Sequence, residues 1–128
     1  MILVFRSHYH TKIFKIGNID QDIMMKYNKL VRDKIPDIIR KKGGNPKFHI
    51  ADKKENLEKL FEKFGEEVNE FLKSKHEEEL ADVREVMDAT FDALTDFYKL
   101  NKNKVKSIQR KKAKERGRFK KRIILEEA

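Results

Sequence analysis

Two runs of helical periodicity separated by only a few residues restrict this chain to a small set of folds. Between Asp52 and Leu72 apolar side chains fall at Leu57, Leu60, Phe61, Phe64, Val68, Phe71 and Leu72, which is helical spacing over about four turns. A second stripe carries Leu80, Val83, Val86, Met87, Thr90, Phe91, Leu94, Phe97 and Tyr98. Between them, Ser74-Lys75-His76-Glu77 has the pattern of a capping box, with Ser74 as N-cap and Glu77 at the third helical position. A break this short joins antiparallel neighbours. The expected fold class is therefore all-α and built on a helical hairpin. A hairpin cannot bury both of its faces alone, so further helices of this chain or of a second subunit are needed to complete a bundle.

The flanking segments give weaker signals. Asp33-Lys34-Ile35-Pro36 reads as a helix start, with Asp33 as N-cap and Pro36 in the first turn, where its missing N–H costs nothing. That helix should pass through Ile38 and Ile39 and stop at Gly43-Gly44, with Lys41 and Lys42 well placed at its C-terminal end. Short extended segments are expected near residues 47–51 and 122–126, the latter as a strand or a buried tail. Lys102 to Arg116 reads as a largely polar helix ending at Gly117. Residues 1–24 read as an N-terminal extension, either disordered or strand-like, or as an over-called start. They show alternation over Lys12-Ile13-Phe14-Lys15-Ile16 and a turn at Gly17-Asn18, and the character of the sequence changes at Met24-Met25-Lys26-Tyr27. Residues 25–128 are then a single domain, as expected for a chain of 128 residues.

Composition excludes several classes of function. There is no cysteine, so thiol nucleophiles, disulfides and Cys-ligated zinc are ruled out. No apolar run approaches the roughly 20 residues of a membrane span, and the start of the chain lacks the apolar segment and cleavage site of a signal peptide. The expectation is a soluble, cytoplasmic protein with no membrane partner. The net charge of +9 is unevenly spread: Lys102 to Arg122 holds twelve Lys and Arg against one acid, whereas Glu62 to Asp88 holds ten acids against four bases. The chain has an acidic middle and a basic tail.

The acidic middle is patterned. Glu67 and Glu70 lie three residues apart on the first helix, and Glu79 and Asp82 three apart on the second. With about 100° per residue, Glu67 and Glu70 fall about 60° and 120° round from Phe64, and Glu79 and Asp82 about 40° and 100° round from Val83, in the same sense. Residues displaced the same way round two antiparallel helices arrive on the same side of the pair, so the four carboxylates should converge, at equal heights from a turn near Ser74 and Lys75. Glu85 and Asp88 form an alternative pair on the far face. Glu66 points further from the stripe and is an outer candidate. Oxygen donors alone suit Mg²⁺, with Mn²⁺ as the alternative. A di-iron bundle would need Glu-x-x-His, which the spacing of His76 does not supply. Pattern alone leaves two readings open, a cation cage and a solvated acidic face.

Glu66-Glu67-x-x-Glu70 followed by Glu79-x-x-Asp82 on paired helices resembles the all-α nucleoside triphosphate pyrophosphohydrolases, the MazG and phosphoribosyl-ATP pyrophosphohydrolase superfamily. Tyr27-Asn28-Lys29-Leu30-Val31-Arg32-Asp33-Lys34-Ile35-Pro36-Asp37-Ile38-Ile39 looks like the opening of one subgroup, the phosphoribosyl-ATP pyrophosphohydrolase-like proteins of unassigned substrate. Glu79-Leu80-Ala81-Asp82-Val83 with Glu85-Val86-Met87-Asp88, and Gly117-Arg118-Phe119, are similar to later parts of that subgroup. The likeness spans about Met25 to Glu127. It departs from the pattern in three places: the interval from Glu70 to Glu79 is shorter than usual, Arg118 replaces what is often a second glycine, and the leader has no counterpart.

The resemblance implies a MazG-like helical bundle that works as a homodimer or higher homo-oligomer, and Mg²⁺-dependent cleavage of a nucleotide between its α and β phosphates to give a monophosphate and pyrophosphate. On that reading Glu66, Glu67 and Glu70 are catalytic. Glu67, Glu70, Glu79 and Asp82 hold the metal, with Glu85 and Asp88 as the alternative pair, and Lys29, Arg32 and Lys34 are the nearest cations for substrate phosphate. Two other readings remain open: a nucleic-acid-binding helical module using residues 102–122, and a structural bundle without activity.

Overall fold

The computed structural model describes residues 2–5, 12–15 and 28–128. The fold is all-α, with a short β ribbon ahead of the helices. Strands β1 (Ile2–Phe5) and β2 (Lys12–Lys15) pair antiparallel, with Ile2 opposite Lys15 and Phe5 opposite Lys12. The expected turn at Gly17-Asn18 and the change of character at Met24 to Tyr27 lie outside the described residues. Helix α1 (Ile35–Lys41) has Pro36 in its first turn as expected, but its N-cap is Lys34, with no side-chain cap. Asp33 therefore does not cap it. The chain leaves α1 through Gly43 at φ +86°, a left-handed conformation that glycine adopts without strain.

Helices α2 (Lys53–Ser74) and α3 (Glu77–Phe97) form the hairpin. Asp52 caps α2 by accepting from the Glu55 N–H at 2.8 Å. Asp52→Ala is expected to cost about 1 kcal/mol of stability, measurable as a shift in urea midpoint with unchanged slope. The turn differs from the capping box read in the sequence. Ser74 ends α2 and Lys75 takes a left-handed conformation, φ +56°. His76 is the N-cap of α3 and has no side-chain cap bond. Ser74 Oγ instead accepts from the His76 N–H at 3.4 Å. Three acids, Glu77, Glu78 and Glu79, crowd the first turn of α3, where the helix dipole favours negative charge.

Helix α4 (Lys102–Arg116) has the expected bounds, with the Asn101 side chain accepting from the Lys104 N–H and Gly117 as C-cap. Residues 47–51 and 122–126 form no strand. Ile123, Ile124 and Leu125 are exposed, so the tail is not buried. No helix among the described residues is long and apolar enough to cross a membrane.

The α2–α3 pair is the main packing of the described chain, and its seam does not run along the centre of the apolar stripes. On α2 the buried line is Leu60, Lys63 and Glu67, with Leu57 beside it, and on α3 it includes Val86. The outer apolar residues Phe61, Phe64, Val68 and Leu72 lie about 60–140° round from Glu67, and Leu80, Met87, Phe91, Leu94 and Tyr98 about 80–140° round from Val86, in the same sense. Both sets therefore come to one side of the hairpin, where Phe61, Leu72, Leu80 and Met87 stand about half exposed. The hairpin is consequently two-sided, apolar on one face and acidic on the other, with the seam between them.

Candidate functional site

The acidic face draws its residues from both helices and is overlain by the segment leading into α1. Lys29 Nζ lies 2.8 Å from Glu66 Oε1 on α2, and Arg32 Nη2 lies 2.9 Å from Asp82 Oδ1 on α3. Two cations three residues apart on one short stretch thus reach carboxylates on two different helices, so Glu66 and Asp82 belong to one site. Lys34, the third cation expected nearby, is exposed at the N-cap of α1.

Glu67, on the buried line of α2, is fully buried. Glu70, one turn further along α2, is half-buried, as are Glu79 and Asp82. Glu66 also lies on this face: its Oε2 and the Oε2 of Glu79 are buried oxygens with no hydrogen-bond partner. Glu85 and Asp88 are exposed. His49 makes a surface contact with Glu55 at 2.8 Å, which leaves both it and the helix-capping His76 outside the site.

Lys63 is the residue that sequence reasoning missed. Its Nζ lies 3.7 Å from Glu67 Oε1, and the side chains of this i,i+4 pair are 6% and 0% exposed. Burial pushes the Lys63 ammonium below its ordinary pKa of 10.5, while the Glu67 and Glu66 carboxylates oppose that shift. A lysine is almost never this buried without a partner, and here the buried carboxylate and ammonium neutralise one another in the seam. The available signal was the four-residue spacing from Lys63 to Glu67, which puts the two on one helix face.

Every candidate ligand is a carboxylate oxygen, the donor type that hard cations take. Among the described residues, no three Asp, Glu or His side chains stand close enough together to hold a metal ion as placed. The acids instead lie beside Lys29, Arg32 and Lys63. Glu66 Oε2 and Glu79 Oε2, one on each helix, are buried oxygens without a hydrogen bond where a cation would satisfy an acceptor. In this sense the residues fit a divalent ion, on condition that side chains move to close the set. Comparison with protein-family models, with curated proteins and with solved structures finds no match for this chain.

Proposed function

We propose that the acidic face is the reaction centre of a nucleotide pyrophosphohydrolase that converts a nucleoside triphosphate or phosphoribosyl-nucleotide into a monophosphate and pyrophosphate. The observation that carries the reading is that one short segment reaches acids on both helices, Lys29 on Glu66 of α2 and Arg32 on Asp82 of α3, on a hairpin whose Glu67 is fully buried. A solvated acidic face would leave its carboxylates exposed, so this burial favours a site over that alternative. The resemblance of residues 27–39 and of the two acidic motifs to phosphoribosyl-ATP pyrophosphohydrolase-like proteins supplies the reaction class.

Glu67, Glu70, Glu79 and Asp82 are the metal-holding set, with Mg²⁺ the preferred ion and Mn²⁺ the alternative. When bound, the ion polarises phosphate oxygens and lowers the pKa of a water, which supplies a nucleophile without cysteine or serine. Glu66, paired with Lys29 and with one buried carboxylate oxygen free of hydrogen bonds, would orient an attacking water or a second ion. Lys29 and Arg32 are positioned to exchange their carboxylate partners for the phosphates of an arriving nucleotide, and Lys34 lies further out along the same segment. The test is pyrophosphate release over a panel of canonical and modified nucleoside triphosphates, with and without Mg²⁺. Metal-dependent release from at least one is expected, and its absence from all of them sinks the proposal.

A second subunit would cover the apolar face. Phe61, Leu72, Leu80 and Met87 leave one side of the hairpin open, and two such faces packed together make a four-helix bundle. The double substitution Leu80→Glu with Met87→Glu is expected to convert a dimer to a monomer at about 10 µM, since like charges would be buried without partners. Light scattering after gel filtration reads the change directly. A wild-type monomer at that concentration would refute the dimer.

A further inference from the structure

The basic segment that follows the hairpin takes no part in the acidic site. Helix α4 carries eight Lys and Arg among its 15 residues and a single acid, Glu115. Among the described residues it forms no extended packing with another element, and one ion pair, Lys102 to Asp92 at 2.9 Å, ties its start to α3. Every residue of the helix is exposed except Val105 and Ala113, which are half-exposed. A helix this polar gains little from burial, and its like charges repel along its length.

We propose that residues 102–122 are a nucleic-acid-binding arm that grips the sugar-phosphate backbone without reading sequence. The distribution of charge selects this partner. At about 100° per residue the eight cations leave no gap wider than about 80° round the axis. A helix lying on a membrane surface needs a broad apolar face opposite its charged one, and α4 has none. A ring of charge suits a site walled by phosphates on more than one side, such as a groove or a wrapped single strand. Its density also fits: eight charges over about 22 Å of helix is one per about 3 Å, against one phosphate charge per about 1.7 Å of duplex.

The residues after the helix extend the same surface. Gly117 turns the chain at φ +80°. Phe119, 97% exposed, then stands among Arg118, Lys120, Lys121 and Arg122. An exposed aromatic ring flanked by cations is a platform for an unstacked base. The acidic face of the hairpin repels the same polyanion, which confines contact to the arm.

The experiment is fluorescence anisotropy of the full chain with a 20-base-pair DNA duplex and with a single-stranded RNA 20-mer, titrated from 50 to 200 mM NaCl. Binding near the micromolar range at the low end is expected, falling about 1,000-fold across the salt range for about six neutralised phosphates. Changing Arg110, Lys111, Lys112 and Lys114 together to Gln should weaken both complexes by at least about 100-fold and flatten the salt slope by about three. Glutamine has nearly the helix propensity of lysine, and circular dichroism checks that the helix persists. Lys47→Gln, an exposed cation elsewhere, should change nothing. Phe119→Ala should weaken the RNA complex about tenfold and spare the duplex if the ring stacks on bases. The proposal is overturned if neither nucleic acid binds at 50 mM salt, if the fourfold variant binds as wild type, or if polyglutamate or phosphatidylserine vesicles bind as tightly as nucleic acid.

Discussion

Glu79→Gln is expected to lower Mg²⁺-dependent pyrophosphate release by at least about 100-fold, a loss of about 2.7 kcal/mol of transition-state stabilisation. The substitution preserves side-chain volume and removes only the charge and one acceptor. Glu79 Oε2 is buried and makes no hydrogen bond, so no hydrogen bond at that atom is lost, and removing the charge from the first turn of α3 should cost only about 0.5 kcal/mol of stability. Glu70→Ala should cause a comparable loss. The matched controls are Glu85→Gln and Asp88→Asn, whose side chains are exposed; each should stay within about twofold of wild type. Equal losses at Glu79 and Glu85 would mean that the wrong half of α3 has been assigned to the site. Full activity in both Glu79→Gln and Glu70→Ala would remove the acidic face from the reaction.

Lys63→Ala is expected to destabilise the metal-free protein by about 2 kcal/mol, because it empties the space that this 6% exposed side chain fills beside the buried Glu67. Urea denaturation measures this. If Glu67 belongs to a metal-holding set, millimolar Mg²⁺ should recover a substantial part of the loss in Lys63→Ala, since an ion that binds only the folded state stabilises it. Lys63→Ala that stays equally destabilised with and without Mg²⁺ would argue for a purely structural ion pair.

The pH dependence gives a second readout with a defined sign. Burial lowers the pKa of Lys63 in the folded state below 10.5, so between those two values the unfolded chain binds more protons. The penalty of keeping Lys63 charged is present at lower pH and is relieved as pH rises toward 10.5. Wild-type stability should therefore carry a positive slope from this residue in the alkaline range, and Lys63→Met should lack it.

The existence and extent of α2, α3 and α4 were legible in the sequence because helical period over several turns is a strong signal and Gly117 is an effective stop. Helix ends were less legible. Asp33 and Ser74 are good capping types, yet Lys34 and His76 hold the cap positions, because the cap is set by where the backbone first turns, and the junction between α2 and α3 is fixed by how the hairpin closes. Lys63 escaped notice for a related reason. A charged residue beside an apolar stripe reads as solvated until a partner from the same helix and a covering segment are both in place.

The sequence by itself determined that this chain is all-α, that two long helices fold back on each other, that acids concentrate in the hairpin, and that cations concentrate in the segment after it. Periodicity records which residues share a face, and charge is a property of composition, so neither needs a third dimension. Only the tertiary structure decided which shoulder of each stripe became the seam. That choice buried Lys63 and Glu67, left Phe61, Leu72, Leu80 and Met87 outside, and laid Lys29 and Arg32 across acids from both helices. Such contacts depend on the relative rotation of two packed helices and on a segment more than 30 residues away in sequence, and helical arithmetic on one helix contains neither.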